Sequence, residues 1–332
     1  MPVIMSRRRF ITIAAAAIGL PVLLRAGSSQ ARPVRWEGTA LGAPASIQLY
    51  HTNEAQAHAA IAAGLDELKR LESIFSVYRA DSAITALNRD GVLENAPADF
   101  IALLTHALAL ARISDGIYDP TVQPLWQTYF RHFTAARPDP AGPAPRDIAA
   151  ALALVDWRAV EVDASRQRIA FAHPGMSLTL NSGAQGYITD RVTDVLRAHG
   201  FEHMLVDMGE PRALSTKPDG SAWRIGIANP ANPNSTVATL EVVDQCVSTS
   251  GGYGTLFDTA GTFTHLIDTR TGRTAPALLG VSVVAKTGTI ADGLSAAMLM
   301  APVERRQSIL RAAGGIQALY VTPEGVTSTV KA

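Results

Sequence analysis

Four short segments of the sequence combine carboxylate, hydroxyl or imidazole side chains with small residues, and such segments can bind phosphate or a metal ion. In residues 116–122, Asp119 stands directly before a proline, where it could bind a ligand or simply start a turn. Residues 180–187 run from a predicted strand into a predicted helix, and their small side chains let the backbone approach a ligand. Free N–H groups at the start of that helix would favour an anion, although an ordinary tight turn explains the segment equally well.

The other two segments lie in the C-terminal part of the chain. Residues 248–253 hold hydroxyl side chains beside paired glycines, which can cradle a phosphate. His265, with Asp268 three residues later, could act as a general base at neutral pH or be a structural residue of a hairpin. Asp292 begins an apolar helix and has Ser295 three residues later. These two residues could hold a hard cation through oxygen ligands, or Asp292 could cap its own helix.

The elements that must position these segments follow from the periodicity of apolar residues. Strand patterns with interspersed helices predict an α+β fold with mixed or antiparallel sheets flanked by helices. Alternation over 36–50 predicts a strand or hairpin, and an apolar stripe over 53–75 predicts a helix. Residues 137–146 are rich in proline and predict a surface loop. Further helices are predicted over 81–87, 99–113, 187–199, 291–300 and 303–312, and short strands over segments that include 177–180 and 263–267.

Composition excludes several classes of function. The chain has 332 residues, of which 47% are apolar, so it can bury a large core. The first 31 residues hold four of the 29 cations and no acid, which leaves 25 cations against 29 acids in the remainder. This acidic body lacks the basic patch that nucleic acid requires. The one cysteine, Cys246, excludes an internal disulfide and a cysteine zinc site, and its apolar neighbours predict a buried strand residue.

The N-terminal segment has the layout of a targeting signal. Paired arginines in residues 6–11 precede an apolar run over 11–24, and small residues end the segment near Ala31. This pattern resembles a twin-arginine signal peptide, and the run is shorter than the roughly 20 residues that span a bilayer. An uncleaved membrane anchor is the alternative. We therefore predict a signal peptide over 1–31, export to the periplasm by the twin-arginine machinery, and a single domain over 32–332.

Taken in order along the chain, these segments resemble the ApbE-like FAD:protein FMN transferases. The resemblance extends from residue 36 to the C-terminus, and the run Thr264–Asp268, followed by Thr271 and Gly272, is its most specific part. The other matching motifs are Ala40–Gly42, Phe75–Tyr78, Tyr118–Val122, Ala184–Tyr187 with Asp190, Met208–Glu210, Ser248–Gly251 with Tyr253, and Ala291–Asp292.

The resemblance implies an ApbE-like fold of two intimately packed subdomains and a Mg²⁺-dependent transferase. Such an enzyme moves FMN from FAD to a threonine or serine hydroxyl of an acceptor flavoprotein and releases AMP. Carried over to this sequence, the implied catalytic residues are His265 and Asp292, and the implied metal ligands are Asp292, Ser295 and the carbonyl of Ser182. The residues implied to bind FAD are Leu41, Tyr78, Ile117, Tyr118, Asp119, Thr179, Gln185, Thr249, Ser250, His265 and Ile267.

Several positions depart from the family pattern. Ala296 stands where a metal-binding threonine is expected, and Thr179 replaces a common aspartate. These departures keep two alternatives open, an exported protein that binds FAD without transfer and a Mg²⁺-dependent FAD pyrophosphatase. They also suggest a subgroup that resembles the members linked to maturation of nitrous oxide respiration, whose acceptor is a membrane respiratory flavoprotein.

Overall fold

The computed structural model describes residues 32–275, 280–322 and 324–332. The predicted signal peptide over 1–31 lies outside these ranges. The helices are α1 (Glu54–Phe75), α2 (Ala83–Asp90), α3 (Ala98–Ser114), α4 (Gln123–Phe133), α5 (Pro145–Leu152), α6 (Asn181–Ala198), α7 (Gly288–Met300) and α8 (Val303–Ala312). The strands are β1 (Arg32–Ala40), β2 (Ala43–His51), β3 (Val92–Leu93), β4 (Val160–Asp163), β5 (Arg168–Phe171), β6 (Met204–Asp207), β7 (Pro211–Leu214), β8 (Trp223–Asn229), β9 (Asn232–Val242), β10 (Cys246–Gly251), β11 (Gly280–Ala285), β12 (Gly315–Val321) and β13 (Thr327–Lys331).

The centre of the fold is an eight-stranded sheet in the order β1-β2-β6-β7-β10-β11-β12-β13. Every pair of neighbouring strands described in it is antiparallel, so the predicted α+β class is confirmed and its sheets are antiparallel. A three-stranded sheet, β3-β5-β4, and the β8–β9 hairpin complete the strands. None of the described helices combines the length and hydropathy that crossing a membrane requires.

Alternation along the central strands separates two apolar layers. Val281 and Val283 of β11 point into the large core that holds α1, α3, α6 and α7. Val284 points to the opposite face, where Trp223 and Ile225 of β8 cover the sheet. The helices that carry the candidate site therefore pack on one face of the central sheet. Cys246 is fully buried at the start of β10, as predicted, and burial raises the pKa of its thiol well above the ordinary value.

Turn and cap residues in the sequence set the limits of the elements that precede the site along the chain. Leu41 and Gly42 both have positive φ angles, 47° and 83°, which makes the two-residue turn between β1 and β2. The predicted helix over 53–75 is confirmed, because Asn53 caps α1 by accepting from the Gln56 N–H at 3.1 Å. Ser82 caps α2 by accepting from the Thr85 N–H at 3.2 Å.

Two strand predictions were wrong, and two helices were missed. Residues 177–180 join no sheet, because the Asn88 side chain bonds both the N–H and the carbonyl of Leu178 at 2.8 Å. Residues 263–267 form only isolated bridges, from Thr264 to Leu256 and from Ile267 to Thr274. The missed helices α4 and α5 pack together around Leu125 and Tyr129, and Phe257 from a distant loop completes this cluster.

Candidate active site

The site is built on a close contact between α6 and α7. A β-carbon at Gly186 of α6 would lie 2.1 Å from the carbonyl oxygen of Gly288, so only glycine allows the two backbones to touch there. The first residues of α6 are not regular helix, since Ser182 has ψ 78° and Gly183 has φ 150°. The kink turns the Ser182 carbonyl out of the helix. A β-carbon at Gly293 of α7 would lie 3.6 Å from that oxygen, so α7 runs beside it.

Two aspartates link these helices reciprocally. Asp190 of α6 accepts from the N–H groups of Gly288 and Thr289 at 2.8 and 2.9 Å, and from Arg212 at 2.7 Å. Asp292 of α7 accepts from the N–H of Gly186 at 3.0 Å. The first N–H groups of α6, which the sequence offered to an external anion, thus face a carboxylate of the protein itself.

The prediction that Asp292 caps its own helix was wrong. Thr287 caps α7 by accepting from the Ile290 N–H, and Asp292 reaches the neighbouring helix instead. The physical reason is the close approach of the two helices at Gly186. It brings backbone N–H groups of α6 within hydrogen-bonding distance of the Asp292 carboxylate.

The charge of Asp292 is incompletely compensated. Burial raises the pKa of its carboxyl to about 7, although N–H groups of Gly186, Gly183 and Gln185 oppose the shift. Burial also raises the pKa of Glu210 well above its ordinary value, and the charge of Asp292 adds to this effect. Two such carboxylates lining one cavity favour a cation beside them.

Two adjoining cavities open beside these residues. The larger has a volume of about 450 Å³ and the smaller about 110 Å³. Among the described residues that line the larger cavity, four are carboxylates and none is lysine or arginine. The residues that line both cavities are Tyr78, Trp126, Asn181, Ser182, His265 and Leu266.

His265 stands where the cavities meet, and its ring is fixed through one nitrogen. Nδ1 lies 3.1 Å from the carbonyl oxygen of Thr255 and 3.2 Å from the N–H of the same residue. In the tautomer that carries the proton on Nδ1, this nitrogen donates to the carbonyl and leaves the lone pair of Nε2 free. Burial lowers the pKa of the ring below its ordinary value, which favours the neutral form that a base requires.

A sequence profile of the ApbE family matches residues 41–320. The chain belongs to the ApbE family. It is 30% identical over 307 residues to an FAD:protein FMN transferase of Treponema pallidum, an alignment that covers 86% of this chain and 83% of that protein. It is 29% identical to one of Klebsiella pneumoniae, over 89% of this chain and 90% of that protein.

The fold of this ApbE family member is also that of solved relatives. The apo form of the Pseudomonas stutzeri flavinyl transferase ApbE superposes with a TM-score of 0.77 at 28% sequence identity, covering 91% of this chain and 96% of that chain. The implied ApbE-like fold is therefore confirmed.

The structure brings nearly all the implied site residues of the ApbE pattern to one cleft. The larger cavity is lined by Leu41, Tyr78, Ser182, Gln185, Thr249, Ser250, His265 and Asp292. The smaller cavity is lined by Tyr78, Ile117, Tyr118, Asp119, Thr179, Ser182, His265 and Ile267. Their roles toward FAD and metal stay predictions, but their clustering from distant parts of the chain agrees with a shared site.

Ser295 is the implied residue that reaches neither cavity surface. It is fully buried, and its Oγ lies 2.7 Å from Oγ of Ser250 and donates to the Asp292 carbonyl at 2.9 Å. From this position it supports the wall of the cleft from behind. Ala296, which stands where the family pattern has a threonine, lines the smaller cavity.

Asp119 lines the smaller cavity, but its carboxylate accepts hydrogen bonds from other residues of the protein. It accepts from the N–H and Oγ1 of Thr121 at 2.8 and 2.6 Å, and from the Trp157 N–H at 3.1 Å. The turn interpretation of this segment therefore holds, and the turn also forms the cavity wall. This arrangement fixes the loop that carries Tyr118.

Sequence reasoning missed several residues of the cleft. Glu210 was noted only as part of a motif, yet it is buried and lines the larger cavity together with Asp207. Trp126 lines both cavities from α4, the helix that the sequence analysis did not predict. Acidic residues beside a family motif were the available signal for Glu210, whereas no local signal marked Trp126.

The donors present fit a magnesium ion. The carboxylate of Asp292 and the carbonyl of Ser182 are oxygen ligands, which Mg²⁺ prefers. Across the described ranges, no group of three or more His, Cys, Asp or Glu side chains could enclose a metal by itself. Mg²⁺ is usually held by one or two carboxylates together with waters and substrate phosphates.

Proposed function

We propose that this chain is an FAD:protein FMN transferase, which moves FMN from FAD to a hydroxyl of an acceptor protein. The relatives from Treponema pallidum and Klebsiella pneumoniae carry that name. The observation that carries the proposal is the meeting of the Asp292 carboxylate, the Ser182 carbonyl and the His265 ring at one cleft. Together they supply what phosphoryl transfer needs, namely charge neutralisation, positioning and a proton acceptor.

In the proposed reaction, Asp292 and the Ser182 carbonyl would hold Mg²⁺, which would neutralise charge on the FAD diphosphate. The acceptor hydroxyl gives its proton to Nε2 of His265 while its oxygen bonds to the phosphorus on the FMN side. The bond from that phosphorus to the bridging oxygen breaks, and AMP leaves with the electron pair. In the tautomer whose Nδ1 proton is donated to the Thr255 carbonyl, Nε2 of His265 can act as the base.

The test mixes the purified chain with FAD, MgCl₂ and a candidate acceptor flavoprotein that presents a threonine. Flavin fluorescence that stays with the acceptor after denaturing electrophoresis supports the proposal, and a His265→Asn variant should give none. Release of free FMN and AMP without labelled acceptor would indicate an FAD pyrophosphatase instead. FAD binding with neither product would indicate a flavin-binding protein without turnover.

We also propose that the protein works in the periplasm, with residues 1–31 as a twin-arginine signal peptide and 32–332 as one domain. The support is the cluster Arg7–Arg9 before an apolar run that ends in small residues. The acceptor would then be a flavoprotein exposed outside the cytoplasm, such as a membrane respiratory protein of the nitrous oxide pathway. Replacing Arg7, Arg8 and Arg9 by lysine should retain the full chain in the cytoplasm, as measured by cell fractionation.

A further inference from the structure

The carbonyl of Ser182 has an unusual hydrogen-bond partner. In a regular helix the N–H of Gly186 would donate to the carbonyl four residues earlier, that of Ser182. Here the Gly186 N–H donates to Asp292 at 3.0 Å instead. Tyr118, from a loop 64 residues away, donates its hydroxyl to the Ser182 carbonyl at 2.9 Å.

Tyr118 is held firmly enough to direct that carbonyl. Its side chain is 8% exposed, and its backbone N–H donates to Oγ of Ser114 at 3.1 Å. Thr269 fixes the same loop by donating to the carbonyls of Gly116 and Ile117. Hydrogen bonds therefore hold the loop both where it leaves the helix and where it borders the cleft. The Tyr118 hydroxyl donates to the Ser182 carbonyl.

We propose that Tyr118 is a positioning residue, which orients the Ser182 carbonyl toward the divalent cation rather than contacting FAD. A carbonyl oxygen has two lone pairs, so one can accept from Tyr118 while the other faces the cleft that Ser182 lines. Ser182 and Gly183 leave the helical conformation, and the Gly186 N–H donates to Asp292. Tyr118 supplies a donor to the carbonyl at this kink. The inference rests on the proposed function only for the identity of the cation and of FAD.

The test compares two Tyr→Phe variants, each of which loses one hydrogen bond from a phenol hydroxyl to a backbone carbonyl. Tyr118→Phe removes the donor to Ser182, and Tyr129→Phe removes a donor to the Gly272 carbonyl, also at 2.9 Å. Tyr129 is buried and lines neither cavity, which makes it the matched control. MgCl₂ is titrated calorimetrically into the full chain loaded with FAD, and FAD binding is measured separately in buffer without Mg²⁺. The melting temperature of each variant checks that it is folded.

Loss of a residue that orients a ligand typically weakens metal affinity about tenfold to a hundredfold, and we expect this in Tyr118→Phe alone. FAD affinity without Mg²⁺ should stay unchanged, and kcat at saturating Mg²⁺ should largely recover. Equal Mg²⁺ affinity in wild type and Tyr118→Phe would overturn the inference, as would an equal loss in Tyr129→Phe. A fall in Mg²⁺-free FAD affinity would show instead that Tyr118 contacts FAD. A wild type that binds FAD and Mg²⁺ but labels no acceptor would contradict the proposed function, while the titrations still decide the role of Tyr118.

Discussion

The contact between α6 and α7 has two ends, and each end has an aspartate that accepts backbone N–H groups of the opposite helix. At one end, Asp190 accepts from Gly288 and Thr289 and also pairs with Arg212 at 2.7 Å. At the other end, Asp292 accepts from Gly186, and the described lining of its cavity contributes no lysine or arginine. The first carboxylate is neutralised by the protein, and the second depends on N–H dipoles alone.

This contrast shows which of two similar aspartates is available to bind a ligand. A buried carboxylate that already has its own cation and N–H donors has little left to offer a ligand. A buried carboxylate without a cation costs free energy until a ligand supplies one, and burial accordingly raises the pKa of Asp292 to about 7. The Asp190 end is therefore structural, and the Asp292 end is where a cation belongs.

The sharpest test of this contrast is Asp292→Asn, for which we expect the largest loss of activity. Metal-ion stabilisation of the transition state is worth several kcal/mol, so turnover should fall roughly a thousandfold or more. The asparagine oxygen can still accept from the Gly186 N–H, and an uncompensated buried charge is removed. The free energy of unfolding in urea should therefore be unchanged or higher. A strong destabilisation with retained activity would reverse the assignment of the two ends.

The converse variant, Asp190→Asn, should act on stability. Arg212 has a side chain only 13% exposed, and breaking a buried ion pair on one side costs about 3–5 kcal/mol. Urea unfolding measures the loss, and activity of the protein that remains folded should fall much less than in Asp292→Asn. Asp66→Asn is the control, because that carboxylate is 77% exposed in its pair with Lys69 and should change stability little.

The backbone contact between the two ends is tested by Gly186→Ala. The added methyl group would clash with the Gly288 carbonyl, and overpacking of this kind costs about 1–3 kcal/mol. Because the helices must separate, Mg²⁺ affinity should fall as well. Gly220→Ala is the control: its φ of 82° is unfavourable for alanine, but a β-carbon there meets nothing within 4 Å. Unchanged Mg²⁺ affinity in Gly186→Ala would show that the contact does not hold the metal site.

The smallest expected effect is the pH dependence that His265 gives to the Asp292 end. Burial lowers the pKa of His265 below its ordinary value of 6.5. The ring is therefore mostly neutral at pH 6.5 and becomes protonated only at lower pH. At saturating Mg²⁺, where metal ligands are held deprotonated, the acid limb of kcat should lie below pH 6.5. His265→Asn should remove the limb together with most of the rate. A limb above pH 7 would exclude His265 as its source.

Much of the fold was predictable because its signals are local. The hairpin of β1 and β2 and the helix α1 follow from alternation, from an apolar stripe and from the Asn53 cap. Residues 177–180 have the same apolar character as a strand, but the Asn88 amide occupies the backbone groups of Leu178. Helix α4 was missed because its stability comes from packing of Trp126 and Tyr129 against Phe257, far away in the sequence.

The chemical groups of the site can be read from the amino-acid sequence alone: oxygen donors at Asp292 and Ser182, an imidazole at His265, and glycines beside them. Which aspartate is neutralised depends on the tertiary fold. Asp190 meets Arg212 and the start of α7, whereas Asp292 meets the start of α6, 106 residues earlier in the chain. Spacing along a chain sets the partners of a side chain only within a turn or two of helix. Partners so distant are set by how closely two backbones approach, here through Gly186 and Gly288.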